Sequence, residues 1–102
     1  EGAQAALARL AESLQQTVNA VRIEGHTDNV PIHSARFASN WDLSTARATI
    51  VVQWLIERGG MAPERLSAAG YGEFHPSVPN DSPEARARNR RVDVVILKGA
   101  QP

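Results

Sequence analysis

Leu7, Leu10, Leu14 and Val18 recur three and four residues apart, with Arg9, Glu12 and Gln16 between them. That stripe predicts an amphipathic helix over "AALARLAESLQQTV". The rhythm then changes. Val21 and Ile23 alternate with Arg22 and Glu24, which predicts a half-buried strand ending at Gly25. From His26 to Asn40 no period survives, and so long a loop in a small domain is expected to be functional. "LSTARATIVVQWLIERGG" returns to helical spacing, with Ser44 as N-cap and Gly59-Gly60 as the stop. Its expected core face is Ala46, Ile50 and Trp54 with Val51 and Leu55. Val52 and Ile56 widen the apolar surface, which points to burial on two sides or to a partner interface.

"RLSAAGYG" is a strand of small residues, Arg65 to about Gly70, suited to close packing against a helix. A proline-rich loop, "HPSVPNDSPEA", leads into Ser82-Pro83-Glu84, the start of a short helix over Pro83–Asn89. In "RVDVVIL", Val92, Val94 and Ile96 share one face while Val95 and Leu97 make the other apolar, which predicts a central strand. The order of helix, strand, helix, strand, short helix and strand is that of an α/β (α+β) two-layer sandwich, helices on a small sheet.

Composition bounds this picture. The 102 residues suit a single domain over 1–102, and 42% apolar residues suffice for a modest core. Net charge is zero, so charge gives no argument for nucleic acid or a membrane surface. The absence of cysteine excludes disulfides, thiolate metal sites and cysteine nucleophiles. The longest apolar run, Ile50 to Ile56, is too short for a bilayer and is interrupted by Gln53. No signal peptide is visible, and the chain begins in helix-like sequence, so the expectation is a piece of a longer protein.

The polar stretch "EGHTDNVPIH" draws the chemistry. His26, Asp28, His33 and His75 are candidate metal ligands, but Pro31 intervenes and no helical ligand spacing exists. The expectation is no metal and no cofactor, with His26 packed at a strand end and His33 solvated. Ser34, Ser39 and Ser44 lie near His26 and Asp28 in sequence, yet none sits in a nucleophile elbow, so no catalytic residue is assigned. "RARNRR" is a basic run without interleaved aromatics, and no nucleic-acid role is expected. A fourth arrangement is a clamp. Asp28 at a strand tip and Arg47, expected in the first helical turn, suit a ligand bearing an ammonium and a carboxylate. Asn40 can donate and accept beside them. A plain Asp28–Arg47 salt bridge explains the same spacing equally well.

"IEGHTDNVP", "SNWDLSTARA", "RLSAAGYGEFHP" and "NRRVDVVI", in that order, resemble the OmpA-like peptidoglycan-binding domain from about Val21 to Leu97. Within the family, "HTDNVPI" before an extended loop and "SNWDLS" after it are similar to the flagellar stator branch, MotB and MotD. The resemblance implies non-enzymatic, non-covalent binding of peptidoglycan through its stem-peptide diaminopimelate. Asp28 and Arg47 fall on the family's ammonium and carboxylate partners, Thr27, Asn40 and Leu43 on supporting positions, and Arg90 on a nearby contact or brace. It further implies a periplasmic domain of an inner-membrane-anchored protein, working as a homodimer and joined to a MotA-type subunit through segments outside this chain. An outer-membrane tether of OmpA or Pal type is the alternative, with a peptidoglycan hydrolase as the contrasting class. The family's first strand has no counterpart before the first helix, and the long loop is expected to cover the Asp28–Arg47 pocket.

Overall fold

A computed structural model describes residues 2–99. Its elements are α1 (Gly2–Leu14), β1 (Val21–His26), α2 (Asn40–Glu57), a 3-10 turn (Pro63–Arg65), β2 (Leu66–Gly70), α3 (Pro83–Asn89) and β3 (Arg91–Ile96). β1 pairs parallel with β2, from Val21 opposite Leu66 to Gly25 opposite Gly70. It pairs antiparallel with β3, from Val21 opposite Ile96 to His26 opposite Arg91. A parallel pair needs a long crossover, and α2 supplies it.

Alternation along β1 divides the sheet into two faces. Val21 and Ile23 are fully buried and meet Ala11, Leu14, Ala48, Leu55 and Met61, with Val92 and Val94 packed alongside. The helices therefore cover one face, as the two-layer reading expects. Arg22, Glu24 and His26 point to the other. The closest approach of helix and sheet depends on two glycines in register. A Cβ on Gly25 would strike the Ser44 carbonyl, and one on Gly70 would strike Thr45 and Ser44.

That contact corrects the reading of α2. Ser39, not Ser44, is the N-cap, and its hydroxyl accepts the Asp42 N–H at 3.4 Å. Ser44 is wholly buried, donating to the Trp41 carbonyl at 3.0 Å and accepting the Gly72 N–H at 3.0 Å. Small Ser44 and Ala48 occupy the core face because the glycine notch admits nothing larger. Ile50, expected inside, is 59% exposed as a result. α1 also ends earlier than its stripe suggests. After Leu14 the chain tightens, with Gln16 and Thr17 N–H groups bonding Ser13 and Leu14 carbonyls, and Val18 lies outside at 63% exposure. β3 is not central among the described residues. It pairs with β1 alone, and its second face is only half-buried.

α3 matches its sequence signature: Ser82 caps it by accepting the Ala85 N–H at 3.0 Å, with Pro83 in the first turn. Its last residue, Asn89, is wholly buried. The Asn89 Oδ1 accepts the Ser77 and Val78 N–H groups at 2.9 and 3.3 Å, and its Nδ2 donates to the Val78 carbonyl and Asn80 Oδ1, both at 2.9 Å. One side chain thus ties the proline-rich loop to α3. Asn89→Leu is expected to remove these part-buried bonds and cost about 2 kcal/mol, read as a lower urea midpoint.

Candidate functional site

β1 ends at the rim of the sheet, and the chain turns over the start of α2. Two local bonds shape that turn. The Thr27 hydroxyl donates to the Asp28 carbonyl at 2.8 Å, and the Val30 N–H donates to Asp28 Oδ1 at 3.0 Å. Asn40, buried in the first turn of α2, donates through Nδ2 to the Val30 carbonyl at 3.2 Å and to Glu73 Oε1 at 3.3 Å. These contacts hold a cleft of about 400 Å³ open between the loop, α2 and the end of α3. Thr27, Asp28, Asn40, Leu43, Arg47 and Arg90, the six residues singled out by sequence, all line it. Val30, Pro31 and Ile32 complete its wall. The loop thus builds a side of the cleft.

Asp28 pairs with Arg90 rather than with Arg47. Asp28 Oδ2 accepts from Arg90 Nη1 at 2.6 Å, an ion pair in which the aspartate is nearly buried and the arginine half-exposed. Arg47 makes no ion pair or hydrogen bond among the described residues, so the simple Asp28–Arg47 bridge is not formed. Arg47 also lies farther along α2 than expected. With the helix starting at Asn40 it is the eighth residue, beyond the first turn where free N–H groups and the dipole act. The Thr27 hydroxyl and Asn40 Nδ2 donate to loop carbonyls, Nδ2 reaching Glu73 as well, and Leu43 contributes apolar wall.

The histidines and serines near Asp28 in sequence are engaged elsewhere or exposed. His33 is exposed, with Nδ1 3.4 Å from the Ala38 carbonyl, and Asp28 is committed to Arg90. His26 does pack at the strand end, its ring stacked on Tyr71 at 5.3 Å. The hydroxyls of Ser34, Ser39 and Ser44 are engaged with Phe37, Asp42, Trp41 and Gly72. What sequence reasoning missed is a second cluster on the far face of the sheet: Glu24, His26 and Asp93. Burial pushes the His26 imidazole below the ordinary histidine range, aided by Arg91 and opposed by Asp93 and Glu24. Burial also opposes charge on Glu24, but the Arg22 bond and charge, with His26 and Tyr71, leave its carboxyl below the ordinary range.

The OmpA family profile matches residues 1–90. Motility protein B of Bacillus subtilis is 48% identical over 75 residues, covering 74% of this chain and 29% of that protein. The peptidoglycan-binding protein ArfA of Mycobacterium tuberculosis is 38% identical over 91 residues, covering 88% of this chain and 26% of that protein. The crystallised C-terminal domain of Helicobacter pylori MotB superposes with a TM-score of 0.90 at 32% identity, covering 98% of this chain and 76% of that one. This chain thus spans between a quarter and a third of those two full-length relatives. No helix among the described residues is long and apolar enough to cross a membrane.

Proposed function

The chain belongs to the OmpA family, and on that footing we propose that it binds peptidoglycan non-covalently, without cleaving it. The observation that carries the reading is the charge arrangement of the cleft: a braced carboxylate at Asp28 and an arginine, Arg47, with no protein partner among the described residues. The ligand is the free end of a stem-peptide diaminopimelate. Its carboxylate takes the forked donors of Arg47. Its ammonium takes the lone pairs that Asp28 keeps after accepting from Val30 and Arg90. One negative and two positive side chains line the cleft, and with Arg90 paired to Asp28 it is Arg47 that is left to meet the ligand carboxylate.

The relatives named for motility support a wider setting, a flagellar stator held to the cell wall. There the domain lies in the periplasm, acts as a homodimer and connects to a membrane anchor and a MotA-type subunit through segments outside this chain. The mycobacterial relative, named for peptidoglycan binding, favours a second setting in which the same cleft serves a general envelope tether. Sedimentation with purified sacculi, followed by chromatography of the supernatant, tests the common claim. The chain is expected to pellet and to release no muropeptide. Failure to pellet overturns the binding, and soluble fragments overturn the non-enzymatic reading. Arg90→Ala leaves the nearly buried Asp28 carboxylate without its brace and is expected to lower retention in the same sedimentation assay.

A further inference from the structure

On the sheet face away from the helices, antiparallel register sets Glu24 beside Asp93, and alternation sets His26 two residues from Glu24 on the same face. His26 Nε2 lies 3.5 Å from Asp93 Oδ2 and 3.7 Å from Glu24 Oε1. The three atoms all fall within 4.8 Å of one another. The imidazole is 4% exposed, and neither ring nitrogen has a hydrogen-bond partner among the described residues. A buried polar group left without a partner is costly. Here Nε2 faces two carboxylate oxygens at distances too long for good hydrogen bonds.

The carboxylates are held in place from outside. Glu24 Oε2 accepts from Arg22 Nε at 2.7 Å and from the Tyr71 hydroxyl at 3.4 Å, which leaves Oε1 turned toward His26. Arg91 Nε bonds both oxygens of Asp93 at 3.1 Å. Tyr71 stacks on the imidazole and fixes its plane. Outer contacts of this kind orient the ligands of metal sites.

We propose that Glu24 Oε1, His26 Nε2 and Asp93 Oδ2 form a binding site for a divalent transition metal, with zinc the best match. Tetrahedral zinc with nitrogen and oxygen donors holds its ligand atoms about 3.3 Å apart. The spacings to His26 need to contract by only a few tenths of an ångström. An imidazole nitrogen among the donors favours zinc over calcium or magnesium, which take oxygen ligands. Asp93, 40% exposed, marks the open side through which the ion enters and where water completes the coordination. Arg22 and Arg91 repel a cation and weaken its binding, and the bound ion clips β1 to β3. This site is separate from the peptidoglycan cleft and does not depend on it.

Titration calorimetry of the chain, free of any histidine tag, against zinc chloride tests the proposal. Saturable one-to-one binding is expected, with Glu24→Gln and Asp93→Asn each weakening it at least tenfold. His33→Ala and His75→Ala are expected to leave it unchanged, which separates this cluster from exposed histidines. No saturable heat up to millimolar zinc overturns the proposal. So does undiminished binding by a Glu24→Gln/Asp93→Asn double variant whose melting curve shows it folded.

Discussion

Arg47→Ala is expected to lose sacculus binding while melting like the parent chain. The guanidinium has no ion pair or hydrogen bond within the described residues, so removing it leaves no buried partner stranded. Its expected role is a pair of charge-assisted hydrogen bonds to a carboxylate, together about 1.5–3 kcal/mol. That corresponds to roughly a tenfold to hundredfold weaker Kd. Arg47→Lys keeps the charge but not the fork, and is expected to recover only a minor part of the binding. Asp28→Ala is a less clean test than its place in the sequence suggests. The same carboxylate receives Val30 N–H and Arg90, so its loss also loosens the loop that walls the cleft. Pull-down and melting curves on all three variants check these expectations. Normal binding by Arg47→Ala would assign that arginine no part in recognition.

Gly25→Ala is expected to be the most damaging single-methyl change in the fold. The added carbon would run into the Ser44 carbonyl and lie 2.9 Å from its carbonyl carbon, both backbone atoms of α2. Backbone cannot swing aside as a side-chain tip can, so α2 must lift from the sheet. Overpacking of this kind costs about 3 kcal/mol or more. In a domain of this size that lowers Tm by roughly 12–24 °C. Thr27 and Asp28 follow two and three residues later, so the cleft is expected to lose its shape along with the core contact. Gly2→Ala is the control, because nothing lies within 4 Å of its added carbon. A Gly25→Ala variant that melts within about 2 °C of the parent would refute the notch.

Much of this architecture was legible because period and burial agree. The alternation of Val21 and Ile23 marks a buried strand, and Ser82-Pro83 marks a capped helix start. α2 starts at Asn40 rather than at Ser44 because its first turn precedes the apolar run. The pattern Ser39-x-x-Asp42 is itself a helix-start signal, and it lies where the helix begins. Hydrophobicity alone ranks Ile50 above Ser44 for the core. The glycine notch reverses that order through space, not affinity. At the site, Asp28 and Arg47 were visible as complementary charges. The Asp28–Arg90 pair joins residues 62 apart, and no local spacing reveals it; only resemblance brought Arg90 forward. Asn89 gave no sequence signal beyond being polar near a helix end, yet its bonds tie the proline-rich loop to α3. The Glu24–His26–Asp93 cluster stayed hidden because strand register, rather than sequence proximity, assembles it.

The most direct test of the central claim is calorimetric titration with a diaminopimelate-containing muropeptide, compared with the same muropeptide amidated at the diaminopimelate side-chain carboxylate. The account expects the parent chain to bind the free acid at least tenfold more tightly than the amide, and Arg47→Ala to bind both equally weakly. Equal affinity of the parent chain for acid and amide would contradict it.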